Sequence, residues 1–403
     1  MNGRLGPARE RRALARCVAD PDELESAWGV RHLLSTAESL PRSFADLLDL
    51  DGVDELLSRR GLRTPFLRLA KDGAVVEPAR YTRSGGVGAE VGDQIDDAAV
   101  ARLFAEGTTI VLQGLHRVWP PLIDFAAELG LELGHPVQVN AYVTPPSSRG
   151  FAAHYDIHDV FVLQLAGEKR WILHEPVLET PLRSQPWTQR RALVQAVAEQ
   201  QEPLADVVLR PGDALYLPRG FIHAAEALGA ISAHLTVGIH VVTRQAIAEA
   251  LLELAADEVE LRRAMPLGID LADPSVLEEH VDETVAALVR SLGSVEMAQV
   301  VRRVRSRIWS SSRPGPLRPL VQAGAVAVPE LRVRVRPGLR VAVSDESLIL
   351  PDQTLDLDSE AVAVARVLLD GDEHELGAVP GDYGAVLKLA ETLLRESVLV
   401  PVT

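Results

Sequence analysis

The chain has 403 residues, enough for two or three domains, and sets 41 Arg and Lys against 57 Asp and Glu, a net charge of −16. Its 47% hydrophobic content supports a large core, although aromatics supply only 4%, so Leu, Val and Ala must fill it. With no run of about eighteen uncharged apolar residues, no apolar segment behind Arg4, Arg9, Arg11 and Arg12, and one cysteine, Cys17, neither a membrane span, a secretory leader nor a disulfide scaffold is expected; a reducing cytoplasm is.

From the start to about residue 245 the pattern is one of short strands and turns with some helices. Ala98–Phe104 and Pro121–Leu129 carry helical spacing and flank the strand Thr109–Gln113. The β-branched, apolar segment from Gly150 to Gln164 predicts a strand, and a second begins near Lys169. Ala214–Leu217 is a short apolar strand between turns, and Ile231–His240 alternates in strand fashion. From Thr243 to about Trp309 the period is helical, as in Ile247–Ala256 and Val276–Val289, and these apolar stripes need a partner face. Arg302–Arg307 is a basic helical stripe, read as a solvated face.

Ser310–Pro319 is a Ser/Pro/Gly linker and the clearest boundary. Beyond it, Leu339–Val343 and Glu346–Leu350 predict a hairpin. Ser359–Leu369 predicts a helix capped by Asp358 or Ser359, Tyr383–Glu396 a second helix, and Val398–Pro401 a last strand. The chain thus divides at 1–245, 246–318 and 319–403. Residues 331–403 hold seven Arg and Lys against thirteen Asp and Glu. Nucleic-acid affinity rests mainly on phosphate neutralisation by cations, so direct nucleic-acid binding is not expected. The overall acidity favours basic partners through electrostatic steering.

The most specific chemistry lies in His154-Tyr155-Asp156, followed 67 residues later by His223. Two imidazoles and one carboxylate form the facial triad of non-haem Fe(II) sites, which leaves coordination positions open. On a strand, residues two apart share a face, so His154 and Asp156 reach one metal from one segment. His158 extends the run and is an alternative imidazole, and zinc accepts the same donor set. Lys169 points toward iron chemistry. Only Lys71, Lys169 and Lys388 are lysines in a chain that otherwise uses Arg. A compact ammonium on a flexible stem suits a carboxylate at the end of a narrow pocket, whereas the bland reading is a solvated turn. Asp159 is a candidate to orient a ligand imidazole, and Asp213 reads as a turn residue. His234 is placed on an inward strand face; Trp171 and Trp187 read as packing residues, with Trp187 in a loop that can border the opening. His174, His240 and His374 read as ordinary.

The stretches Asn140–Pro146, His154-Tyr155-Asp156, Val160–Trp171, Leu217–His223 and His234–Val237 appear in a specific order and spacing. On them the chain resembles the JmjC-type 2-oxoglutarate oxygenases, within them the ribosomal-oxygenase branch, often called cupin-like. The resemblance implies an α+β fold: a double-stranded β-helix core with flanking helices, a helical homodimerisation region and a C-terminal winged-helix-like domain. It implies Fe(II) at His154, Asp156 and His223, the distal carboxylate of 2-oxoglutarate at Lys169, and a cosubstrate pocket lined by Asn140 and Tyr142. Dioxygen is the second cosubstrate. One departure is Gly238, where some relatives place a small hydroxyl residue; Thr236, on the same face, is the substitute considered. The implied activity is hydroxylation of a protein or peptide side chain, Arg or His of a ribosomal protein. The alternatives are an oxygenase of a peptide natural product or small metabolite, and a non-catalytic metal-binding cupin-like regulator.

Overall fold

Two long stretches rich in β-branched and apolar residues, 159–174 and 222–239, organise the computed structural model of the chain. The residues described are 12–402, apart from 72, 89, 147 and 149–151. Arg4, Arg9, Arg11 and the Gly150-Phe151 head of the ligand segment lie outside them. The chain forms two compact units, Met1–Val241 with Pro314–Pro316, and Val242–Arg313 with Leu317–Thr403.

The first unit contains strands β1 (Leu33–Ser35), β2 (Leu67–Lys71), β3 (Ala74–Val75), β4 (Thr82–Arg83), β5 (Gln94–Ile95), β6 (Thr109–Leu112), β7 (Val137–Thr144), β8 (Asp159–His174), β9 (Ala205–Leu209), β10 (Ala214–Leu217) and β11 (Ile222–Ile239). Its helices are α1 (Pro21–Ala27), α2 (Leu50–Arg59), α3 (Asp97–Ala105), α4 (Pro120–Leu133) and α5 (Arg191–Gln200). The predicted strand at Thr109 and the two helices around it are α3, β6 and α4. The main sheet runs β1-β10-β8-β11-β7-β6-β2-β3, with β9 added to β8, and its pairings are antiparallel. β4 and β5 form a separate ladder.

Side-chain alternation sorts the sheet's two faces. Ala141 and Val143 of β7, Phe161 and Leu163 of β8, and Leu235 and Val237 of β11 join a helix-packed core with Leu103 of α3 and Leu122 and Leu129 of α4. Val160 and Val162, on the other face of β8, pack with Trp171 and Leu173 of that same strand and with Leu215 and Leu217 of β10. Two halves of one strand can meet this way only if the sheet folds back on itself. The bend shows as a register shift between β8 and β11 at Leu228–Ala233, a place where the extra residues of a bulge bend a strand. The result is a double-stranded β-helix with an enclosed inner face.

Gly167 makes the bend possible. Its φ is +60°, and a Cβ there would collide with the Ile231 carbonyl oxygen. Gly167→Ala therefore combines left-handed strain with a backbone clash. It is expected to cost about 2–4 kcal/mol and to lower the unfolding midpoint in a thermal melt by several degrees.

The second unit begins with α6 (Arg244–Ala255), α7 (Val259–Arg262), α8 (Pro274–Ser294), α9 (Met297–Ser311) and α10 (Pro319–Ala323). The predicted helices at Ile247 and Val276 are α6 and α8. The basic stripe is partly spent on helix pairing, since Arg307 binds Glu249 and Glu253 and Arg303 approaches Glu253; Arg305 lies over Trp309 of its own helix. Val281, Val285 and Val289 of α8 form an apolar stripe more than half exposed. The remainder comprises β12 (Arg332–Val335), β13 (Ala342–Val343), β14 (Ser347–Ile349), β15 (Thr354–Asp356), α11 (Ser359–Leu368), β16 (His374–Glu375), α12 (Tyr383–Arg395) and β17 (Leu399–Pro401). The predicted hairpin is β13–β14, widened by β15. Asp358 caps α11 by accepting from Ala361 N–H. Strand β12, which pairs with β16 and β17, was not anticipated, because its Arg-Val-Arg-Val pattern offers little apolar content. No single described helix is long and apolar enough to cross a membrane.

Candidate metal centre

The predicted ligand strand is shorter than expected: β8 begins at Asp159, so His154 and Asp156 precede it. What fixes them instead is an antiparallel bridge between His154 and His223. His154 N–H donates to the His223 carbonyl at 3.1 Å, and His223 N–H to the His154 carbonyl at 2.8 Å. The Asp156 carbonyl accepts from Gly220 N–H at 3.0 Å. Backbone pairing thus brings residues 67 apart side by side, with imidazole centroids 4.4 Å apart. His223 Nε2 lies 3.8 Å from Asp156 Oδ2, and one donor atom from each of His154, Asp156 and His223 falls within 4.8 Å of the others.

The imidazoles are set up as ligands. His154 Nδ1 lies 2.8 Å from the Ala152 carbonyl, and His223 Nδ1 lies 3.1 Å from that of Phe221. Donation from Nδ1 to a carbonyl leaves the Nε2 lone pair for a metal. Burial, with His154 alongside, pushes His223 down to about 4, so its ring is neutral at pH 7. Burial opposes the Asp156 charge, but His158, His223 and His154 outweigh it and hold the carboxyl below its ordinary range. His158 is close enough to act on Asp156 electrostatically and stands outside the three-ligand cluster. Two imidazoles and one carboxylate converging from a pinned backbone fit a divalent transition metal.

Lys169 lies within β8, past the bend, rather than opening a strand of its own. It is buried, at 3% exposure, which excludes the solvated-turn reading. Its Nζ donates to Thr144 Oγ1 at 3.1 Å, and Thr144 lies 3.4 Å from the Thr109 hydroxyl. Burial alone depresses the ammonium to about 7; among the described residues no carboxylate offsets it. His234 and Trp171 connect this end to the ligands. Lys169 acts on His234, which burial keeps neutral. The His234 ring stacks on Tyr142 at 5.1 Å and meets Trp171 edge-on at 5.5 Å, and Trp171 lies 5.9 Å from His223. Trp171 is a packing residue of the inner core, as its sequence suggested, and its ring together with that of His234 stands between Tyr142 and His223.

Burial, first of all, raises the pKa of the Tyr142 hydroxyl; the Asp156 charge adds to the rise and the Arg68 guanidinium opposes it. Asn140 Oδ1 accepts from Gly114 N–H at 3.0 Å. Thr236 stands opposite Asn140 and Val162, two strand positions from His234, and the hydroxyl that meets Lys169 is that of Thr144. A Cβ on Gly238 would press on Gln138 and His158, so this position leaves room for His158, whose ring packs against His240. Trp187 lies 6.1 Å from His154, under the Arg191 guanidinium.

Asp159 does not orient a ligand imidazole. It is fully buried and accepts from Tyr216 OH at 2.6 Å, Arg219 N–H at 3.1 Å and Arg219 Nη1 at 3.2 Å. Arg219→Ala strands this buried carboxylate, and breaking such a pair costs about 3–5 kcal/mol; urea unfolding should register the loss. Asp213 ties its turn to the N-terminal segment by accepting from Arg210 and Ala37 N–H. His374 pairs with Asp370, and His174 is buried and is not one of the three clustered donors. Arg68 and Thr144 escaped sequence reading. A lone cation between Leu67 and Leu69 was the available signal, since alternation turns it away from their core.

Residues 126–247 match the JmjC domain family. Ribosomal oxygenase 1 of Rattus norvegicus is 38% identical over 179 residues, covering 42% of this chain and 29% of the rat protein. The Drosophila persimilis protein named bifunctional lysine-specific demethylase and histidyl-hydroxylase NO66 is 34% identical over 180 residues, covering 40% of this chain and 25% of its own. The chain therefore spans less than a third of the length of these curated relatives. Among solved structures, Escherichia coli ribosomal oxygenase YcfD superposes over 95% of this chain and 98% of its own, with a TM-score of 0.57 and 17% identity. YcfD in complex with cobalt and 2-oxoglutarate gives a TM-score of 0.56 at 16% identity. At such identity the likeness speaks for the fold.

Proposed function

We propose, starting from a chain that carries a JmjC domain related to those of the ribosomal oxygenases, that it is an Fe(II)- and 2-oxoglutarate-dependent hydroxylase of a protein side chain. The observation that carries this reading is the pairing of two features in one barrel. One is a His154–Asp156–His223 donor cluster with both Nδ1 atoms committed to carbonyls. The other is a buried Lys169 with no carboxylate beside it among the described residues.

In this reading His154, Asp156 and His223 hold the metal. Lys169 pairs with the distal carboxylate of 2-oxoglutarate, and Thr144 orients its ammonium. Asn140, Tyr142 and Thr236 line the cosubstrate pocket. When bound, iron with 2-oxoglutarate and dioxygen supplies the oxidative decarboxylation that converts a substrate C–H into C–OH. Trp171 and His234 keep water from the inner end, which confines that chemistry to the bound substrate.

The substrate is an Arg or His side chain of a basic protein, a ribosomal protein in the first instance, and the net charge of −16 steers such partners. Division at 1–245, 246–318 and 319–403 gives a catalytic domain, a helical homodimerisation region and a winged-helix-like module of the cytoplasmic protein. The exposed Val281, Val285 and Val289 stripe supports the dimer. The acidic balance of the last module supports a protein-binding role over nucleic acid.

Anaerobic titration with Fe(II) and 2-oxoglutarate tests the core of this reading. A weak visible metal-to-ligand charge-transfer band is expected in the wild type and not in His223→Ala. Metal binding without a band in the wild type transfers the assignment to a non-catalytic metal-binding regulator.

A further inference from the structure

Helix α2 carries Leu50, Val53 and Leu57 at helical spacing, and α3 carries Val100 and Phe104 in the same way. Each helix thereby turns an apolar stripe toward the sheet. Between the stripes α3 presents only Ala98 and Ala101, whose methyl groups leave the space between the helices unfilled. The result is an open groove of about 610 Å³. Leu57 and Phe104 form its half-buried walls, and Ile110 of β6 and Val143 of β7 its buried floor. Leu50 and Ile231 remain 38% and 39% exposed at its margin. An exposed apolar patch edged by polar residues marks an interaction site.

The charge on this groove is of one sign. Asp54 and Asp97 are the charged residues of the lining. Asp97 accepts from the Ala98 N–H at 2.8 Å, and among the described residues neither carboxylate forms an ion pair. Glu55, one position on from Asp54, is by contrast bound to Arg60. Arg59 and Arg102, the arginines of the two helices, stand outside the lining. Two such carboxylates beside an apolar trough complement a segment that brings bulky apolar side chains and cations together. The groove is distinct from the metal centre. Alternation turns Val143 to the helix-packed face and Thr144, which meets Lys169, to the inner one.

We propose that the groove between α2 and α3 docks a basic amphipathic segment of a partner protein, its apolar side chains laid into the trough and its Arg or Lys paired with Asp54 and Asp97. This is recognition of an amphipathic helix by a hydrophobic groove. The net charge of −16 draws such a segment in, and the two carboxylates fix where it settles. Binding here requires no turnover, so the site stands apart from the hydroxylase reading.

The probe is a fluorescein-labelled helical peptide of Leu, Ala and Arg with leucines at i, i+3, i+4 and i+7, read by anisotropy against the full chain. One control peptide keeps the composition in scrambled order, and a second replaces Arg with Glu. Saturable binding of the basic amphipathic peptide is expected. Asp54→Asn combined with Asp97→Asn should weaken it at least about fivefold, as the loss of two exposed ion pairs implies. Ala101→Arg, which fills the trough, should abolish it. Glu346→Gln combined with Asp352→Asn, an equal change of charge at exposed positions of the second unit, should leave it within about twofold of wild type. A circular-dichroism melt checks folding, and Ser58→Arg, at another exposed lining position, replaces Ala101→Arg if that variant melts early. Equal binding of either control peptide, equal loss in the two charge-matched pairs, or no saturable binding to the wild type overturns the proposal. So does a wild-type dimer that Ala101→Arg converts to a monomer, because the occupant is then a second copy of the chain.

Discussion

Alanine at His154, Asp156 or His223 is expected to abolish substrate hydroxylation and succinate formation. Losing an outer partner of a metal ligand already costs about 10–100-fold in metal affinity or activity, and removing a ligand should cost far more. The three donors are not interchangeable. Among the described residues Asp156 is the only carboxylate in the cluster, so Asp156→Ala leaves two imidazoles and no anionic donor to retain a dication. His223→Ala removes a ring whose Nδ1 is already held by the Phe221 carbonyl. The fold should survive each change, because the bridge between residues 154 and 223 is made by backbone groups. The check is metal content by elemental analysis beside a circular-dichroism melt. Wild-type turnover in any of the three variants would refute the assignment.

Lys169→Ala should weaken 2-oxoglutarate binding by about 100-fold, in line with the roughly 2–5 kcal/mol lost when one partner of a buried hydrogen-bonded charge pair is truncated. Stability should move the other way. In the ligand-free protein the ammonium is buried with no counter-charge among the described residues, so its removal should leave the melting midpoint unchanged or raised. The same burial gives binding a pH signature. Lys169 is pushed from its ordinary 10.5 to about 7, and the distal carboxylate pairs only with the protonated amine. Above pH 7 the apparent affinity should fall by up to about tenfold per unit, and Lys169→Ala should flatten that slope.

The stability linkage has its own sign. Above pH 10.5 the amine is neutral in both the folded and unfolded chain. As pH falls from 10.5 toward about 7, the unfolded chain takes up a proton that the folded chain does not, and stability declines. Below the folded value the loss levels off. Calorimetric titration with 2-oxoglutarate at several pH values, beside melts of the ligand-free protein, separates the two effects. A pH-independent affinity in the wild type would count against Lys169 as the carboxylate partner.

Local features were legible in the residue order. The triad could be read because donor types at tight spacing carry chemistry wherever they fold. The helices at Ala98, Pro121 and Val276 could be read from their period, and the α11 cap from one aspartate before an apolar run. The rarity of lysine singled out Lys169, although not its partner. Tertiary structure alone decided which residues meet. His154 and Asp156 are aligned by a backbone bridge to a residue 67 positions away, not by the strand their composition suggested. Asp159 answers Arg219 and Tyr216 instead of an imidazole. Arg68, Tyr142 and His234 share one row through the register of β2, β6, β7 and β11. Alternation tells a residue which face it occupies. Its neighbours on that face are set by strand register, and here register depends on the core being buried as a whole and on the bend at Gly167.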